Sequence, residues 1–192
     1  EYGPFREWDC KTGLEWFMLD FELHRKLKDF TRALNLFYLA HPALWENDGS
    51  PEGFEWIVSD DNRNNVLVYL RRCKEEELVI AVNFSPQRWE NYRFGLPKYG
   101  KYEEIFNSDD LLFGGNGVKN TDLVTNRIPL HGRICSTEVT LPPLSAIVLK
   151  RKSSERPPRI EAPKKKTGIL PKKSKGIRKT PTRIPTQSKK TH

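Results

Sequence analysis

Residues 65–84, NVLVYLRRCKEEELVIAVNF, hold two runs rich in β-branched residues, 65–72 and 78–84, parted by a charged stretch. Runs this short and this branched suit a pleated, half-buried surface better than a helix. The same texture recurs in both directions: FEWIV (54–58), WENYRFG (89–95), KYEEIFN (101–107), STEVTL (136–141) and SAIVLK (145–150). Turn chemistry parts them at Asp61-Asn62, Ser85-Pro86, Pro97 and Gly114-Gly115. About seven strands at this spacing predict a mainly β fold, an antiparallel β-sandwich. Before them the rhythm differs. Leu23, Leu27, Phe30, Leu34 and Phe37 recur at helical spacing, which predicts one long amphipathic helix over 20–41, capped by Asp20 and ended by Pro42.

At 192 residues and 36% hydrophobic, the chain has room for one domain of ordinary size with a self-sufficient core. No run approaches the roughly 20 apolar residues a membrane helix needs, so no membrane partner is expected. Residues 1–20 show neither a basic nor an apolar signal region, so secretion is not indicated. Cys10, Cys73 and Cys135 are odd in number and far apart, without metal-ligand spacing, and read as reduced thiols of a cytoplasmic protein. No cofactor and no metal site are expected.

Charge divides the chain. From Lys150 to His192 there are 16 Lys and Arg against two acids, a net of +14; the other 149 residues carry 17 against 23, a net of −6. Six prolines and no aromatic residue occur in 151–192, too little apolar surface to offset the entropy of ordering, so a disordered tail is expected. Its cations would attract nucleic acid or other anionic surfaces non-specifically, and without aromatics it has no means of stacking bases.

Single motifs read as structural. Asp60-Asp61 and Asp109-Asp110 are sequence neighbours suited to bonding a turn backbone. GGNGVKN (114–120) lacks the ending of a phosphate cradle and reads as a loop. His131 reads as a loop histidine and His24 as a solvated one. Among the strand aromatics, Trp56 reads as core; Trp89 and Tyr92, beside Arg88 and Arg93, divide evenly between core and an exposed sugar-holding face.

The order of EYGPFREW, LEWFMLD, DFTRALN, HPALWENDGSPEGFEWI, VLVYLRR, VIAVNFSP, YRFGLPKYGKYEEIFNSD, GGNG, HGR and LPPLSAIVLK resembles the end of the α-1,4-glucan branching enzymes of the α-amylase superfamily, over residues 1 to about 150. The resemblance implies that 1–45 is the end of a TIM-type catalytic barrel, its last strand-loop and last helix, and that 46–150 is the all-β C-terminal domain, with 151–192 as the tail. It implies an enzyme that cleaves α-1,4 links and re-forms them as α-1,6, with α-glucan as substrate. Segments just after barrel strands face the active site, so Glu1, Tyr2, Arg6, Glu7 and Trp8 would touch sugar, the charged groups bonding hydroxyls and the indole stacking on a ring. The family usually reads Glu-Phe-Gly-Gln where this chain has Glu1-Tyr2-Gly3-Pro4. Retaining glycosyl transfer needs two carboxyls about 5 Å apart. The family's catalytic carboxylates would lie upstream of residue 1, so none is assigned here and the chain alone is expected to be inactive. The other expectation is a stand-alone glucan-binding or interaction module. The helix leaves two outcomes open: it docks on the sandwich, or its partner is the remainder of a barrel.

Overall fold

The computed structural model describes residues 1–153; the expected disordered tail lies, but for its first three residues, outside the described residues. Helix α1 (Glu22–Ala40) is followed by eight strands: β1 (Phe54–Asp61), β2 (Val66–Arg72), β3 (Glu77–Asn83), β4 (Trp89–Leu96), β5 (Lys101–Asn107), β6 (Leu123–Val124), β7 (Cys135–Leu141) and β8 (Ser145–Ser153). A six-stranded sheet runs β1-β2-β3-β8-β5-β6, and β4 pairs with β7 in a second sheet. Every pairing is antiparallel.

Alternation along the strands places the core. Val66, Val68 and Leu70 of β2, with Val79, Ala81, Ile147 and Leu149, meet Phe94, Leu96, Cys135, Val139 and Leu141 of the small sheet, and all are buried. The opposite face of the large sheet carries Leu78, Ile80 and Val148, which pack with Ala43 and half-buried Tyr69, Phe37 and Phe106. That face receives α1. Phe37 lies 4.8 Å from Phe106, and Phe30 lies 6.1 Å from Phe106 and 5.3 Å from Phe113, measured between ring centroids.

Only one edge of the helix docks. Leu23, Leu27 and Leu34 remain exposed, and no residue of α1 is fully buried. The five-residue stripe therefore splits: its two phenylalanines reach the sheet and its three leucines do not. Two further details correct the sequence reading. Phe21, extended and without a side-chain cap bond, holds the N-cap position, while Asp20 ends the preceding 3₁₀ turn (Trp16–Asp20). The carboxylate thus sits one residue too early to reach the free amides. Pro42 does end the helix, opening a 3₁₀ turn over Pro42–Leu44.

Half-buried Glu76 ties that turn to the sheet. It bonds His41 Nδ1 at 2.8 Å, Lys150 Nζ at 2.6 Å and the Ala43 amide at 3.3 Å. Arg71 donates to the Leu44 carbonyl at 2.7 Å and pairs with Asp48. No disulfide joins the three cysteines. No helix among the described residues is long and apolar enough to cross a membrane.

Candidate functional site

The opening segment folds back over the start of α1. Tyr2 is buried, its ring stacked 5.7 Å from Trp16, and its carbonyl accepts a 2.8 Å bond from His24 Nδ1. Gly3 makes this return with φ +70°, a conformation that side chains disfavour. His24 is therefore half-buried, flanked by Phe5 and Phe21 at 5.4 and 6.2 Å, and not solvated as its place on the helix suggested. The contact is long-range in sequence, and helical periodicity carries no trace of it.

Tyr2, Arg6, Glu7 and Trp8 come together with Glu15 around a cavity of about 60 Å³. Glu1 is exposed and does not line it. The Trp8 indole is 77% exposed at the rim. Arg6 Nε pairs with Glu15 Oε1 at 3.3 Å. Glu15 lies in the LEWFMLD motif but was not singled out from it as a member of this group.

Trp89 and Tyr92 spend their polar ends inside the protein. Trp89 Nε1 donates to the Asn64 carbonyl at 3.1 Å, and the Tyr92 hydroxyl donates to Asp61 Oδ2 at 2.6 Å. Burial, reinforced by the Asp61 charge, pushes the Tyr92 phenol well above its usual range. Burial works against the Asp61 carboxylate too, but bonds from Tyr92 and Asn64 outweigh it and hold its pKa below the usual value. Both aromatics are partly buried against the core, clamping β4 to the turn between β1 and β2.

Trp56 corrects the expectation of a core residue: it is 49% exposed. A register shift between Trp56 and Val58 interrupts the β1–β2 ladder, so the successive residues Ile57 and Val58 are both buried and fill the core. The bulge turns the indole outward. There it stands opposite Tyr69, with ring centroids 5.9 Å apart, and Phe54 lies 4.9 Å from Trp56 and stacks on Tyr69 at 5.4 Å. Three aromatic rings form a partly exposed platform on the helix-bearing face of the sheet. Tyr102, by contrast, is core, its hydroxyl donating to the Lys98 carbonyl at 3.0 Å.

The remaining motifs are structural, as their residue types suggested. Asp109 accepts from the Asn116 and Val118 amides at 2.9 and 3.1 Å, holding the GGNG loop, and Asp110 accepts from the Leu112 amide at 3.0 Å. His131 Nδ1 accepts from the Gly95 amide, and burial lowers the ring's pKa. Three acids, Glu103, Glu104 and Asp122, line a cavity of about 310 Å³ beside β5. Glu104 is already engaged through both oxygens, by Asn107 at 2.7 Å and Asn120 at 2.6 Å, and Glu103 pairs with Lys152. Among the described residues no group of three or more His, Cys, Asp or Glu could hold a metal ion. A further cavity, about 480 Å³, is an apolar groove between α1 and the strand ends, walled by Leu27, Phe30, Phe84, Phe113 and Leu144.

Residues 56–152 match the model of the alpha amylase C-terminal all-beta domain, and these span β2 to β7 whole with nearly all of β1 and β8. The chain belongs to this family. Its relatives include a 1,4-alpha-glucan branching enzyme GlgB of Halothermothrix orenii, 41% identical over 78% of this chain and 24% of that protein. One from Prochlorococcus marinus strain NATL1A, of the same description, is 44% identical over 81% of this chain and 21% of that one. The chain thus spans about a quarter of the length of the curated relatives it matches. The likeness to branching enzymes read from the ordered motifs is borne out. The family's all-β domain accounts for the sandwich, while α1 and the opening loop precede the matched residues.

Proposed function

We propose that this chain is the C-terminal region of a cytoplasmic 1,4-alpha-glucan branching enzyme and that its described part holds α-glucan without cleaving it. The observation that carries this reading is the Phe54–Trp56–Tyr69 platform, in a chain 41–44% identical to branching enzymes over 78–81% of its length. An exposed aromatic face on a rigid sheet offers a pyranose its apolar side at little entropic cost. The opening loop offers a second set of groups of the same kind: the Trp8 indole, the Arg6 guanidinium and the Glu7 carboxylate.

In this reading residues 1–45 complete a catalytic barrel. The exposed row of Leu23, Leu27 and Leu34, continuous with the apolar groove, supports an apolar partner for the outer side of α1. The chemistry of branching, cleavage of an α-1,4 link and formation of an α-1,6 link, then belongs to carboxylates outside these residues.

The test is affinity electrophoresis of the 192-residue chain in gels cast with glycogen or amylose, beside an iodine-stained branching assay. Retardation by glucan, lost on Trp56→Ala and kept when residues 154–192 are removed, is the expected result. Turnover of amylose by this chain, or migration indifferent to glucan, refutes the reading.

A further inference from the structure

The loop GGNGVKN (114–120) takes no part in glucan binding, and it holds the chain's one Asn-Gly pair, Asn116-Gly117. Such a pair is chemically unstable in an open chain, because glycine has no side chain to keep its amide nitrogen away from the preceding Asn Cγ. In the fold that approach is withheld by one residue. Asp109, 5% exposed, accepts through Oδ1 from the Asn116 amide at 2.9 Å and the Asn116 side-chain nitrogen at 3.1 Å, and through Oδ2 from the Val118 amide at 3.1 Å. Its carbonyl oxygen accepts from the Gly117 amide at 2.7 Å. The nitrogen that would attack and the nitrogen that would leave are thus both bonded to Asp109. Asn116 itself is exposed, so water is at hand and burial is not what restrains it.

We propose that Asn116 is a deamidation site latched shut by Asp109, and that its conversion unlocks the loop that holds α1. When the loop opens, the Gly117 amide loses its proton to solvent base and the nitrogen attacks Asn116 Cγ. The Cγ–Nδ2 bond breaks, ammonia leaves with a proton taken from water, and a cyclic imide remains. Water then adds to one imide carbonyl and opens the ring, giving aspartate or isoaspartate. Nothing is oxidised or reduced: an amide and a water become a carboxylate and an ammonium ion.

The product does not fit the closed loop. In aspartate the side-chain donor of position 116 becomes an oxygen that can only accept, set where Asn116 Nδ2 lay 3.1 Å from Asp109 Oδ1. Two carboxylates that close repel each other. In isoaspartate the main chain is longer by a methylene, so the amides of 116 and 117 fall out of register with Asp109. What the loop holds is the helix. Phe113, just ahead of it, meets Phe30 at 5.3 Å between ring centroids. The Gly114 backbone lies against Leu23 and Lys26, where an added Cβ would stand 3.4 and 3.5 Å from their side chains. No residue of α1 is fully buried, so these contacts are a large share of its hold.

The experiment incubates the 192-residue chain at mildly alkaline pH, folded and in concentrated urea, and follows position 116 by peptide mass spectrometry. Folding should slow deamidation at least about tenfold, since opening gives up several hydrogen bonds at once. Asp109→Asn, which sets a donor against one of the amides, should restore most of the unfolded rate in a folded chain; if this variant does not fold, the comparison of the unsubstituted chain with and without urea still decides. Equal rates folded and unfolded, or a folded Asp109→Asn chain as slow as its parent, overturn the latch. Asn116→Asp installs one product directly. Amide exchange in peptides from 22–40 should quicken about tenfold, and less in Asn116→Ala, which removes the bond without adding a charge. Helix exchange unchanged in Asn116→Asp overturns the release, and equal quickening in Asn116→Ala overturns the part played by the new charge.

Discussion

Phe37→Ala should loosen α1 without unfolding the sandwich. Truncating a fully buried phenylalanine costs about 3–5 kcal/mol. Phe37 is half-buried, touching Phe106 at 4.8 Å and His41 at 4.2 Å between ring centroids, so about 2 kcal/mol of packing is at stake. Alanine recovers part of this, because it is the better helix former by about 0.5 kcal/mol. The net, about 1.5 kcal/mol, corresponds to a roughly tenfold shift in an opening equilibrium. The helix is attached by a single edge and buries no residue completely, so it should open as a unit of its own. The assay is amide hydrogen exchange followed by mass spectrometry. Peptides from 22–40 should exchange about ten times faster, and peptides from β2 and β3 should be unaffected. Leu39→Ala, at a position 68% exposed, is the control and should change exchange less than about twofold. Helix exchange altered by less than twofold in Phe37→Ala would refute the aromatic latch. Equal acceleration in β3 would refute the idea that the helix opens by itself.

Further outcomes follow from the same contacts. Asp109→Ala strips the acceptor from the Asn116 and Val118 amides and from Asn116 Nδ2, and should lower the free energy of unfolding by about 3 kcal/mol in a urea titration. Gly115→Ala should be no milder, since an added Cβ would lie 2.2 Å from the Asp109 carbonyl oxygen. Glu76 is held below the usual 4.5 because bonds from Lys150, His41 and the Ala43 amide outweigh the burial that opposes them. Its folded form thus binds a proton less readily than the unfolded chain, so it adds stability above pH 4.5 that is lost as pH falls. Glu76→Gln should flatten the acid limb of a melting-temperature profile. Burial raises the Tyr92 and Tyr102 phenols above the usual 10.0. The sign is opposite here: their contribution is complete below pH 10 and is lost above it, so a 295 nm titration should show both ionising after the exposed tyrosines, and an early, single transition would contradict the burial.

What could be read from the chain beforehand depended on how local its cause is. β-branched runs and turn residues are local, so the sandwich and the extents of β2, β3 and β5 were legible. β6 was not, because Leu123–Val124 is too short to show a period and becomes a strand only by lying beside β5. The stripe of α1 was legible, yet nothing in its spacing says which members find a partner. Trp56 shows how a single irregularity defeats alternation: one bulge at Ile57–Val58 exchanges inside for outside. In the opening loop, the residues named from family likeness fell around one cavity, Glu1 excepted, while Glu15 and His24 joined through folding back of the chain.

The splitting of the helix stripe and the exposure of the aromatic platform have one geometric origin. Along β2, Val66, Val68 and Leu70 point between the sheets, so Tyr69 must point to the face that α1 occupies. On that face α1 sets Phe30 and Phe37 against Phe106 of β5 and the neighbouring Phe113, while Phe37 and the turn at Ala43 and Leu44 pack on Leu78, Ile80 and Val148. One helix is about 10 Å across, whereas six strands spaced by about 4.8 Å extend more than twice as far. A lone helix therefore cannot cover the sheet, and something must remain open at the β1–β2 end. Elsewhere such a gap would be filled by aliphatic side chains seeking cover; here it is filled by Phe54, Trp56 and Tyr69, whose rings brace one another at 4.9 to 5.9 Å and tolerate water on one side. The uncovered end of the sheet is thus stable as it stands and still presents a flat apolar surface, which is the property a sugar ring needs and a packed core does not.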